Sequence, residues 1–268
     1  MRYSGIQPQY FPRLHYFARI LQADIYVTRD DAQYVKKHKY PGGRVDKSYQ
    51  ADTPIKGAMG RFLLSIPIKH GGYLPLGKTH ISYESRWIGD HLKALTMSYA
   101  KAVNFRATYK EIGTILARKY TILGNLNLAT IFWGILRLLG DSAPSREISL
   151  REINKLLEKQ NTFRLKEIRR SSDSAFLKKE TDISPNEKII GLIREVGANE
   201  DYCGGTAATA YMDADLFSRH GITLTVQDWK CRQYPQLFMK KQSFIPNVSI
   251  IDLLMNTSRR DAIRILNG

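Results

Sequence analysis

Two short polar stretches near the start of the chain carry side chains suited to work on a hydroxylated ligand. Gln7 and Tyr10 lie in the first; Asp30, Asp31, Gln33, Tyr34 and Lys36 lie in the second. Carboxamides and phenols both give and take hydrogen bonds, so such a set can grip the hydroxyls and amides of a sugar. Asp31, or its neighbour Asp30, can act as a general base. The competing reading is turn chemistry, because Asp commonly ends strands and opens turns. His91 is a further acid or base candidate, since an unperturbed imidazole titrates near neutrality; it sits one helical turn after Trp87 on an apolar stripe, where a core histidine is the alternative. Tyr202 precedes the run Cys203-Gly204-Gly205-Thr206, whose amides can face a phosphate or carboxylate, although it matches no Walker or dinucleotide fingerprint. Arg44 can hold an anionic donor, and Tyr234 and Gln236 follow a strand-like run that ends at Val226.

The elements that must position these groups can be read from periodicity. Residues 3–7 and Asp24-Ile25-Tyr26-Val27-Thr28 read as strands, with Leu14, Phe17, Ala18 and Leu21 at helical spacing between them. This βαβ pattern predicts an α/β fold with a mostly parallel sheet. Ligands bind beyond the carboxyl ends of such strands, so the stretches after Gln7 and after Thr28 are expected to face one another across a crevice. The segment 35–60 is expected to be a long Gly/Pro/basic loop. The runs 61–68 and 78–83 predict a hairpin around His70-Gly71-Gly72-Tyr73-Leu74-Pro75. The middle region is helical: Trp87, His91, Leu95 and Tyr99 recur every four residues, and residues 126–139 form a helix ending at Gly140. Ser184-Pro185-Asn186-Glu187 is a strong helix start. The expected organisation is an N-terminal α/β lobe with helices over 1–140 and a C-terminal α/β lobe over 141–268, or one continuous domain.

With 268 residues, 43% of them hydrophobic, the chain can bury a sizeable core. Lys and Arg outnumber Asp and Glu by 41 to 25, a net charge of +16 that draws anions to the surface. Expected partners are an anionic small molecule such as a nucleotide-sugar or acyl donor, with tRNA a further candidate; solvation of the surface is the plainer reading of the charge. Cys203 and Cys231 are expected to be free thiols in a cytoplasmic protein. Neither a membrane span, nor a cofactor, nor a structural metal is expected, because no apolar run approaches the roughly 20 residues a span needs and the histidines lack ligand spacing.

Across nearly its full length the chain resembles the WbqC-like protein family. The matching stretches are Gln7-Pro8-Gln9-Tyr10-Phe11-Pro12, Asp30-Asp31-Ala32-Gln33-Tyr34, Trp87 to His91, Tyr202-Cys203-Gly204-Gly205, Phe244-Ile245-Pro246 and Ser249-Ile250-Ile251-Asp252. It departs from the family pattern at Ile6, where the family usually has His, at Arg13 and His15, where Trp and Gly are usual, and at Gly43-Arg44, where Asn-Arg is expected. Serine usually stands in the place of Cys203, which implies a small packing residue there. The resemblance implies sugar modification in O-antigen-type surface-glycan clusters, with transfer of a glycyl or similar aminoacyl group. If the usual histidine is catalytic in the family, this chain must differ in activity or recruit His15. A noncatalytic module binding RNA or another anionic ligand, and a scaffold for glycan assembly, are the alternative expectations.

Overall fold

The run Ile25-Tyr26-Val27-Thr28 has no polar face, and it folds as a strand buried on both sides, as strands of covered parallel sheets are. The computed structural model describes residues 1–39, 43, 45–69, 73–141, 146–180 and 182–268. Five parallel strands form the central sheet: β1 (Arg2–Ile6), β2 (Ile25–Thr28), β3 (Glu167–Arg170), β4 (Glu200–Cys203) and β5 (Thr223–Val226), in the spatial order β3-β2-β1-β4-β5. The fold is thus α/β, opening with the expected βαβ unit. Helix α1 (Leu14–Leu21) joins β1 to β2, which pair in register from Tyr3↔Ile25 to Ile6↔Thr28.

Two cores cover the two faces. On one, Tyr16, Phe17 and Tyr26 pack with the helical middle region, α2 (Trp87–Tyr99), α3 (Phe105–Ala117) and α4 (Leu123–Leu139), and with α5 (Leu150–Lys159). Helix α4 is apolar on nearly every side because it runs through this core, and it ends where Gly140 takes up a φ of 93°. On the other face Tyr3, Ile25 and Val27 meet Ile189, Ile193 and Phe217. These come from α7 (Pro185–Glu195), which follows the short α6 (Ala175–Lys179), and from α9 (Ala214–Arg219), which follows α8 (Gly205–Ala210). Ser184 caps α7 in a full capping box with Glu187, as its sequence predicts. The tail, α10 (Ile250–Asn256) and α11 (Arg259–Asn267), returns to the first core. The sheet and this core draw on residues from both sides of position 140.

The segment 61–68 pairs differently from expectation. Gly60–Ser65 forms an antiparallel hairpin with Asp52–Gly57, while among the described residues the 61–68 segment meets the 78–83 run at the antiparallel bridge Ile68↔Ile81; His70, Gly71 and Gly72 of the expected turn lie outside the described residues. The tight turn Gly57-Ala58-Met59-Gly60, with Gly60 at φ 108°, closes the nearer partner first. A second short hairpin, Lys37–Lys39 with Val45–Lys47, also lies in the stretch read as loop. No helix among the described residues is long and apolar enough to cross a membrane.

Candidate functional site

From β1 the chain first builds the sheet toward β2 and β3, then crosses back to lay β4 and β5 on the other side. The reversal falls between β1 and β4, and neighbouring connections there leave in opposite directions, which opens a crevice at the strand ends. The β1–β4 register covers only Arg2↔Glu200 and Tyr3↔Asp201, so the two strands share little ladder at their carboxyl ends. A cleft of about 670 Å³ occupies this point. That volume suits a ligand of nucleotide-sugar size.

Arg13, Arg19 and Arg29 line the cleft, together with Asp201, Tyr3 and His15. Arg19 comes from α1, and its Nε donates to Gln227 Oε1 at 3.0 Å. Its guanidinium lies against Gly204: a Cβ on that glycine would stand 2.9 Å from Arg19 Cζ, so only glycine admits this approach. Arg29, just past β2, is held in a two-pronged pair by Asp31, Nε to Oδ1 at 2.8 Å and Nη2 to Oδ2 at 3.0 Å. Burial alone would push the Asp31 carboxyl up, but the bonds and charge of Arg29 and the Ser171 hydroxyl outweigh it and hold it below the usual range.

Asp201 has the opposite fate. Its carboxyl is 3% exposed, and burial pushes it up to about 7, against the downward pull of Arg19 and Arg29. Among the described residues it makes no side-chain hydrogen bond or ion pair, so the charge of two nearby guanidiniums is all that supports its ionised form. A carboxyl poised near neutrality in a cationic cleft is suited to proton transfer. Beside it, the fully buried Tyr3 hydroxyl has no hydrogen-bond partner among the described residues. It projects along β1 over Gly5, where a Cβ would stand 2.7 Å from Tyr3 Cζ.

His15 donates from Nδ1 to Asn247 Oδ1 at 3.0 Å, and the backbone amide of His15 donates to the same oxygen at 3.0 Å, which fixes the amide orientation. Nε2 therefore carries the lone pair. Burial, then the charge of Arg19, lower the imidazole to about 4, so it is neutral at pH 7. Gln7 accepts at Oε1 from the Tyr49 hydroxyl (2.7 Å) and Gln50 Nε2 (3.0 Å), so its Nε2 is left as a donor on the cleft wall. Burial raises the Cys203 thiol to about 11, which keeps it protonated.

The loop from Gln7 to Arg13 is clamped from several segments. Asn127 and Thr130, polar residues on the otherwise apolar α4, bond the Pro8 carbonyl (2.9 Å) and the Phe11 amide (3.0 Å). The Phe11 carbonyl accepts from Thr53 (2.7 Å) and Ser249 (2.9 Å). Phe11 itself is held at φ 37°, a left-handed conformation that a bulky side chain rarely adopts.

Of the residues proposed from sequence, Gln7, Gly204 and Gly205 line the cleft. Asp30 lies outside it, fully buried, with its oxygens taken by Arg170 Nε (2.8 Å), Ser171 (3.1 Å) and Ser172 (amide 3.0 Å, hydroxyl 2.8 Å). Asp31 reaches the cleft only through Arg29. His91 Nε2 donates to the Ser65 carbonyl and its Nδ1 accepts from the Tyr10 hydroxyl, each at 3.1 Å, and burial lowers it to about 4. Both residues stand in the interior, away from the cleft. Gln33 and Lys36 are exposed, and Tyr34, its phenol raised by burial to about 12, packs against the first core. Tyr202 donates to Gln22 Oε1 (3.1 Å) under the Arg2 guanidinium. Tyr234 and Gln236 bond Asp252 Oδ1 at 2.8 and 3.0 Å inside the first core, with Tyr99 on Oδ2 at 2.8 Å. Arg44 lies outside the described residues. The crevice thus opens at the ends of β1 and β2, where Gln7, Gln9, Arg29 and Ala32 line it, and extends to β4; Asp201, Arg19, Arg29 and Tyr3 are the groups that periodicity did not single out.

Among the described residues, no group of three or more His, Cys, Asp or Glu is placed to hold a metal ion. Ile6, Arg13 and His15 all lie on the cleft wall. Neither a curated protein nor a solved structure matches the chain. A family model does, over residues 7–264, and the stretches it spans include the loop, the glycines and the clamp described above: the chain belongs to the WbqC-like protein family.

Proposed function

We propose that this protein is a transferase that modifies a sugar or sugar nucleotide in surface-glycan biosynthesis, moving an acyl or aminoacyl group from an anionic donor. The observation that carries the reading is Asp201, a buried carboxyl raised to about 7 that shares the cleft at the sheet's switch point with Arg19 and Arg29. Arg13, Arg19 and the Gly204-Gly205 backbone hold the donor's anionic group. Gln7 holds a hydroxyl of the acceptor. Asp201 takes the proton from the acceptor's amino or hydroxyl group as its nitrogen or oxygen bonds to the acyl carbon. The bond from that carbon to the donor's leaving group breaks, the leaving group keeps the electron pair, and Asp201 gives the proton back to it or to solvent. A net charge of +16 suits a nucleotide-borne donor or an aminoacyl group carried on tRNA.

The test is incubation with sugar nucleotides and acyl or aminoacyl donors, followed by mass spectrometry of the products. Asp201→Asn is expected to lose product formation by roughly 100-fold or more, as removal of a general base does. Turnover at the wild-type rate in that variant ends the assignment.

A further inference from the structure

Arg19 and Arg29 are the only sources of opposite charge acting on the Asp201 carboxyl among the described residues. They reach it from different elements, Arg19 from α1 and Arg29 from the end of β2. The other titratable groups that face it are Tyr3 on β1, Cys203 on its own strand and Tyr211 after α8, while Asp31 acts on the cluster through Arg29. Two features show that this floor is built for something besides Asp201. Tyr3 lines the cleft, and its hydroxyl is fully buried and without a partner among the described residues, a state that costs free energy unless a ligand atom completes it. The Arg19 guanidinium is brought against Gly204, and among the described residues only its Nε is bonded to a side chain.

We propose that Arg19, Arg29 and the Tyr3 hydroxyl form a phosphoryl-oxyanion subsite, and that an anion seated there draws the guanidiniums away from Asp201, so that the carboxyl binds its proton more tightly. The Tyr3 hydroxyl donates to one anion oxygen, and the two guanidiniums supply the remaining donors. The anion adds a negative charge a few ångströms from the carboxylate. Occupancy of the subsite therefore makes the ionised Asp201 a stronger base while lowering the share that is ionised at neutral pH, so proton abstraction by it shifts to higher pH when the donor is in place. This rests on reading the cleft as an anion site and is independent of which group is transferred.

Sulfate is the probe, because it carries no proton that titrates near neutrality. The γ-carboxyl carbons of aspartate are labelled and followed by NMR across pH, in sulfate and in chloride at equal ionic strength, with Asp201→Asn assigning the resonance. The Asp201 midpoint is expected to rise by about one pH unit in saturating sulfate, the size of a unit charge a few ångströms away through a partly polar interior. Tyr3→Phe, which removes only the hydroxyl, is expected to weaken sulfate binding by about 5- to 10-fold, and Arg19→Gln to shrink the displacement. If Asp201→Asn does not fold, Arg19→Gln identifies the resonance instead, because loss of that positive charge raises its midpoint in chloride. A midpoint that does not move in sulfate, or moves equally in Arg19→Gln, overturns the proposal. A sulfate response in a protein that transfers nothing keeps the subsite and ends the transferase reading. Product formation without any sulfate response overturns the subsite and leaves that reading standing.

Discussion

Gly204→Ala should impair anion binding while leaving the fold intact. Gly204 sits at φ −88° and ψ 145°, a conformation open to any residue, so the substitution carries no backbone penalty. Its new methyl would instead stand 2.9 Å from Arg19 Cζ and 3.0 Å from Nη1. Ordinary contact between such atoms lies near 3.5–4.0 Å, so the guanidinium must withdraw by about 1 Å. That movement strains the Arg19 Nε bond to Gln227 Oε1 and pulls the fork away from the anion it is proposed to hold. A charge-assisted hydrogen bond contributes about 1.5–3 kcal/mol, which corresponds to roughly a 10- to 100-fold rise in Kd. Gly205→Ala is the matched control, since its Cβ meets only Val226 Cγ1 at 3.7 Å, an ordinary contact. Calorimetric titration with a sugar nucleotide, alongside thermal melting, reads both quantities. Equal affinity in wild type, Gly204→Ala and Gly205→Ala would refute the assignment of Arg19 as an anion contact.

Other perturbations follow from the same geometry. Asp201→Asn should stabilise the fold at pH 8 by up to about 4 kcal/mol: the folded carboxyl titrates near 7 and the unfolded one near 3.8, so wild-type stability falls as pH rises between them, and the loss is complete above. Denaturant unfolding at pH 4 and pH 8 checks this, and a gap that does not widen with pH counts against a strained carboxyl. Asp30→Ala should cost about 3–5 kcal/mol in the same unfolding assay, because it leaves Arg170 and two serines without their buried partner. Asn127→Ala removes both donors that hold the Pro8 and Gln50 carbonyls (2.9 and 2.8 Å); a loss of about 2 kcal/mol with weakened ligand binding is expected, and unchanged binding would show that the loop does not depend on this clamp.

The sequence made the first half of the site's frame legible. The βαβ unit, the cap at Ser184 and the stop at Gly140 all follow from local rules, and local rules hold wherever one short segment decides its own shape. What was not legible is strand order. β3 reads Glu167-Ile168-Arg169-Arg170, an edge strand with one fully buried residue and charges on the rest, so it carries no apolar run to announce it. Without it the reversal between β1 and β4 cannot be located, and the wall that β4 gives to the crevice goes unseen. Asp201 then reads as one more acid in a short strand, and its distinction comes only from Arg19 and Arg29, which stand 182 and 172 positions earlier. The aspartates that did stand out, Asp30 and Asp31, owe their prominence to adjacency in sequence; in space one anchors Arg170 and the other orients Arg29.

Three unfavourable features meet at this crevice and the loop beside it: among the described residues, a buried carboxyl without a hydrogen bond and a buried phenol without a partner, and next to them a left-handed Phe11. Stability alone gives no reason to collect them, since a neutral residue at position 201 and phenylalanine at position 3 would each relieve a cost. Nor does the surrounding structure let them relax. Thr53 on its hairpin, Asn127 and Thr130 on α4 and Ser249 at the start of α10 hold the Gln7–Arg13 loop from elements far apart in the chain, and Gly204 keeps Arg19 where a methyl would displace it. Strain that is over-determined from so many directions is the pattern expected of a preorganised binding site. The same holds at the far end of the chain, still within the stretch that the family model matches, where the Ser249 hydroxyl donates to the Phe11 carbonyl (2.9 Å) and ties α10 to the loop that carries Gln7.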